Sequence, residues 1–137
     1  HGKGATMLII GALLMIVCHL TFAFVLPATK SAIIAYAAII LLGISFSLVP
    51  ASLWPSVPKL VDGKLLGSAY AVIFWIQNIG LCLVPLLIGK VLDATGGYTV
   101  PMTIFASFGV LAFLFGLWLK REDKEHGYGL EEPNVKK

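Results

Sequence analysis

The chain has 137 residues, of which 58% are apolar and only 12% charged, against roughly 25% charged in a soluble globular domain. This excludes a water-soluble fold. It also excludes nucleic acid as a partner despite the net charge of +3, because the charged C-terminal tail is itself neutral and the excess basicity belongs to short loops. Two cysteines, Cys18 and Cys82, lie inside uncharged stretches, where they suggest packing rather than a disulfide framework or a metal site.

Charges divide the first 119 residues into four uncharged windows, 4–29, 31–58, 65–89 and 94–119. Each exceeds the ~20 residues that a helix rising ~1.5 Å per residue needs to cross ~30 Å of hydrocarbon. The expected architecture is an all-α integral membrane protein with helices at about 5–27, 31–58, 66–92 and 98–119, followed by a polar cytoplasmic tail, 120–137. The opening at His1 rather than Met reads as a fragment or as an artificially altered terminus.

In the first span, His19 is the only titratable candidate for a relay, and a hydrogen bond to a neighbouring helix is the plainer reading. The second span carries Pro50, Pro55 and Pro58, each of which removes a backbone donor, so the helix is expected to bend or break there. Ser45, Ser52 and Ser56 fall on one helical face and are candidates for a substrate path or gate. The alternative reading has each hydroxyl bonded back to its own helix. Trp54 sits between the prolines, too deep for an interfacial belt.

The third span places Trp75, Gln77 and Asn78 near the bilayer midplane. Neighbouring positions differ by ~100° around a helix, so Gln77 is expected to face a cavity and Asn78 to tie the span to another helix. Pro85 is a further expected kink. In the fourth span Gly109, Ala112 and Gly116 form a small-residue packing stripe, as Gly67 and Ala71 do at the start of the third. Beyond Lys120 a short helical extension and then a disordered end are expected.

Lys and Arg are enriched in cytoplasmic loops. Placing both termini in the cytoplasm puts Lys3, Lys59, Lys64, Lys120, Arg121, Lys124, Lys136 and Lys137 inside, with only Lys30 and Lys90 outside. No Asp, Glu, Lys or Arg lies in the interior of a span, Lys90 falling at the outer end of the third, so any proton-coupling acid must lie elsewhere. No nucleophile triad, histidine pair or phosphate-binding loop is present, so an enzyme is not expected, nor is a cofactor or metal.

The runs Leu53, Trp54, Pro55, Ser56, Val57, then Leu66 to Tyr70, then Gln77 to Leu81, with Gly89, Leu92 and Asp93, resemble the tenth and eleventh helices of a major facilitator superfamily transporter. Within it, the similarity is greatest to the lysosomal dipeptide transporter group and its bacterial relatives. The resemblance implies that the chain supplies helices nine to twelve, part of the C-terminal six-helix bundle of a twelve-helix transporter. It further implies alternating access by secondary active or facilitative transport, with small peptides or related organic solutes as cargo. The second span would line the path, the third would flank it and the first would be peripheral. The implied partners are the lipid bilayer, a small-molecule solute and the missing N-terminal part of the same transporter. The expected location is a bacterial inner or plasma membrane rather than a lysosomal one. The competing reading is a small tetraspan structural subunit that oligomerises.

Overall fold

The computed structural model describes residues 2–133, which are helical almost throughout, and four helical stretches are long and apolar enough to cross a membrane. Helix α1 (Gly4–Leu20) passes through a π-helical turn (Thr21–Val25) into the short α2 (Leu26–Thr29), and together they form one 26-residue span. The π turn has a local cause. Pro27 has no N–H to return to the ladder, and beside it the Leu26 N–H reaches the Thr21 carbonyl, five residues back.

Helices α3 (Ala32–Leu60), α4 (Leu66–Thr95) and α5 (Thr99–His126) follow, with a 3-10 turn, Gly63–Leu65, before α4. Gly96 and Gly127 cap α4 and α5 at φ 64° and 69°, left-handed positions that a residue without Cβ takes at least cost. Of the expected bend or break at Pro50, Pro55 and Pro58, a break does not occur, and α4 is likewise continuous across Pro85. Each proline costs the ladder one bond and leaves the others in place, so a 29-residue helix survives three.

Helix α1 lies between α3 and α5 and packs along both, whereas α4 stands off and has no buried residue of its own. Side-chain size accounts for this. The buried residues of α1 are Ala5, Gly11, Ala12 and Cys18, and those facing it on α5 include Ala106, Gly109 and Gly116. A Cβ on Gly109 would stand 2.7 Å from Ile16 Cγ1 and one on Gly116 would stand 3.0 Å from Ile9 Cγ1. Close backbone approach of this kind replaces the hydrophobic drive that lipid does not offer. On α4 the corresponding Gly67 has nothing within 4 Å of its would-be Cβ. The first span, peripheral by resemblance, is therefore the hub of the described residues.

The tail also departs from expectation. Instead of ending in disorder after α5, residues 127–133 fold back onto the start of α1. Leu130 is 1% exposed, and its N–H donates to the buried Asp123 carboxylate at 2.8 Å. The Gly4 N–H donates to Leu130 O (2.8 Å), Lys3 N–H to Glu131 O (3.0 Å) and Thr6 N–H to Glu131 Oε1 (2.8 Å). Three donors that an α-helix leaves without partners at its N-terminus are thus supplied by the tail. Lys59, near the end of α3, donates to the carbonyls of Gly129 and Glu132, both at 2.7 Å. The remainder of the expected disordered end, with Lys136 and Lys137, lies outside the described residues, as does His1.

Candidate functional site

A proline deprives the carbonyl four residues before it of a partner. Pro58 does this to Trp54, and the freed Trp54 carbonyl accepts a hydrogen bond from Tyr70 Oη of α4 at 3.0 Å. Around that bond an aromatic cluster joins two helices that otherwise touch sparsely. The Trp54 ring stacks on Phe74 at 4.9 Å between centroids and tilts against Tyr70 at 5.8 Å.

Next to the cluster, α3 and α4 part to leave a groove of about 610 Å³, lined by Phe46, Val49, Pro50, Leu53 and Trp54 on α3 and by Ile73, Ile76 and Gln77 on α4, with Met15 of α1 at its base. Its lining side chains are apolar but for two features. One is the Gln77 side chain, which is exposed and makes no hydrogen bond among the described residues. The other is Trp54, whose indole carries a single N–H donor. Such a surface accepts apolar groups and offers, through the Gln77 amide, a neutral donor and acceptor. It holds no charge to pair with an ammonium or a carboxylate.

Of the residues selected from sequence, Trp54 and Gln77 come together on this groove. The three serines lie elsewhere, buried on the side of α3 that meets α1 and the tail. Ser45 Oγ donates across the interface to Gly11 O at 2.7 Å, while Ser52 and Ser56 donate to Leu48 O and Ser52 O of their own helix, each at 2.7 Å. Asn78 does not reach a neighbouring helix among the described residues, because its Nδ2 donates to Phe74 O one turn back at 2.7 Å. His19 bonds to Met15 O of its own helix at 2.8 Å and packs on Phe105 of α5. Cys18 Sγ donates to Ala38 O at 3.2 Å and Cys82 is exposed.

Sequence reasoning placed Tyr70 in the run that carries the family resemblance and missed its bond to Trp54. A signal existed, since Pro58 stands four residues after Trp54. No group of three His, Cys, Asp or Glu side chains able to hold a metal ion is found among the described residues.

Four helical stretches of mean hydropathy 2.1 to 2.6, each long and apolar enough to cross a membrane, together with small-residue helix contacts, define a polytopic membrane protein. The sequence model of the Major Facilitator Superfamily matches residues 1–136, and the chain belongs to that family. The family consists of transport proteins, and the chain is not an enzyme. Among curated proteins it is similar to the lysosomal dipeptide transporter MFSD1 of Mus musculus (44% identical over 59 residues) and Homo sapiens (42% over 59). The corresponding protein of Danio rerio is 43% identical over 56 residues. The match covers 43% of this chain and 13% of the mouse and human relatives, and 41% and 12% for the fish protein, so the chain spans only a small part of their length. No solved structure matches.

These relatives correct the expected location. They are vertebrate proteins named as lysosomal, not bacterial ones, so the bacterial inner or plasma membrane is withdrawn, and with it the placement of both termini in the cytoplasm. The multi-pass membrane character stands.

Proposed function

We propose that the chain forms one wall of the solute path in a transporter that works by alternating access, in which two helical bundles rock about a central site. In this reading the four spans are the ninth to twelfth of twelve, within the C-terminal six-helix bundle. The cargo is small peptides or related organic solutes, and the membrane is lysosomal. Family membership and the printed name of the relatives support it. The observation that carries it is the groove that Trp54 of α3 and Gln77 of α4 both line.

Trp54 supplies an apolar platform and Gln77 a neutral hydrogen bond. Pro50, Pro55 and Pro85 are the points at which α3 and α4 flex as the path opens. Ser45, Ser52 and Ser56 serve packing on the opposite face of α3, and Asn78, Gly109 and Gly116 serve packing elsewhere. The charged ends of a peptide are held by residues outside this chain, since none of the groove's lining residues is ionised.

The test is uptake of tritiated dialanine by the full-length transporter in vesicles, with thermal melting measured on the same preparations. Trp54→Ala should abolish or severely weaken uptake while folded protein remains. Gln77→Ala should weaken it about fivefold, the equivalent of one neutral hydrogen bond of ~1 kcal/mol. Loss of a ring that served only packing would instead appear as ~3–5 kcal/mol of destabilisation. Well-folded Trp54→Ala with unchanged uptake would remove the groove from the path.

A further inference from the structure

We propose that Tyr70 is a positioning residue for the solute path, holding Trp54 and Gln77 in register by capping the carbonyl that Pro58 leaves free; the inference rests on the groove reading above. Three observations converge on it. Tyr70 Oη lies 3.0 Å from Trp54 O, on a carbonyl that cannot be served by its own helix. The Tyr70 ring also lies against the Trp54 indole, whose other neighbour, Phe74, is one turn further along α4. Finally, Tyr70, Phe74 and Gln77 occupy positions i, i+4 and i+7, so one rotation of α4 about its axis sets all three.

Helix α4 has no buried residue and meets α3 and α5 only sparsely. Among the described residues its rotation is therefore not dictated by broad packing, and within this chain the directional bond to Trp54 O is what selects it. Turning α4 by one residue, about 100°, would carry Gln77 out of the groove. The proline and the tyrosine act as one device: the first creates an acceptor at a fixed height on α3, and the second reads that height from α4.

An interfacial belt residue would also place a tyrosine near the end of a span, with its hydroxyl toward the headgroups. The two roles differ in their dependence on Pro58. Pro58→Ala restores an N–H that serves the Trp54 carbonyl within α3 and makes the tyrosine hydroxyl redundant, whereas a belt tyrosine is indifferent to that change.

The experiment is a double-mutant cycle in the full-length transporter with Tyr70→Phe, Pro58→Ala and both together, and with Trp54→Ala as a separate arm. KM and kcat for dialanine uptake and the melting temperature are read on each preparation. Tyr70→Phe is expected to raise KM about fivefold with its ring retained, and in the Pro58→Ala background to change KM by less than about twofold. An equal effect of Tyr70→Phe in the two backgrounds, or none in either, overturns the inference. The melting cycle needs no solute and must show the same coupling, and additive shifts likewise overturn it. If Trp54→Ala impairs uptake but Tyr70 and Pro58 are uncoupled, the positioning role fails and the groove stands. If Trp54→Ala is silent while melting remains coupled, the groove reading fails and Tyr70 is left with a structural bond alone.

Discussion

A serine hydroxyl in a membrane helix has two outlets, its own carbonyl one turn back or a group on another helix, and α3 uses both. Ser47 is exposed and bonds back to Gly43 O at 2.9 Å, whereas the buried Ser45 reaches Gly11 O of α1. Only the second bond joins two helices, so only its loss should be felt. Ser45→Ala is expected to lower stability by about 1 kcal/mol, and Ser47→Ala to change it by less than about 0.5 kcal/mol, in thermal or denaturant unfolding of detergent-solubilised protein. Equal effects would show that the Ser45 bond does not tie α1 to α3. Helical periodicity places Ser45, Ser52 and Ser56 on one polar face, and that face exists. What periodicity does not contain is the identity of the neighbour, because a face turned to a water-filled path and a face turned to a glycine-lined helix have the same spacing.

At the level of elements, the segment after α5 changes from an appendage to a fastening. Glu131 accepts from the Thr6 N–H and from the Thr6 hydroxyl, at 3.0 and 2.9 Å to its two oxygens, and Lys120 donates to that same hydroxyl at 2.8 Å. The carboxylate sits at the positive end of the α1 dipole, where an anion is stabilising, while Lys59 holds the tail from α3. The ends of α1, α3 and α5 are thereby joined on one face. Glu131→Ala should cost about 1–2 kcal/mol, as removal of a helix N-cap does, and should speed hydrogen exchange at Gly4 and Thr6 while leaving the middle of α4 unchanged. Unaltered exchange at those two amides would show that the tail does not hold α1. Composition cannot report this contact: a polar stretch with Gly127, Gly129 and Pro133 reads as disorder unless the orphan donors of a helix more than a hundred residues earlier are known to lie beside it.

Across the whole molecule burial is lopsided. Helix α1 packs against both α3 and α5, whereas α4 has no buried residue and exposes large apolar side chains, including Trp75 at 68%. The sparse contacts of α4 leave it without the packing that would hold a gated path together. The 137 residues expressed alone and reconstituted in vesicles should therefore insert without catalysing saturable uptake of tritiated dialanine, which a flux assay against empty vesicles would read. Saturable uptake would mean that the path needs no surface beyond these spans.

The sequence by itself determined that the chain crosses a membrane, how many long helices it has and which family it resembles. Those properties are sums over local residues, since the cost of placing a charge in hydrocarbon and the length of an apolar run require no knowledge of distant neighbours. Tertiary structure alone decided that α1 is the hub, that the tail caps it, that the serines face inward and that Tyr70 answers Pro58. Each of these is a pairing between residues far apart in the chain. A single-helix pattern specifies a direction, and only the packed fold specifies what lies there.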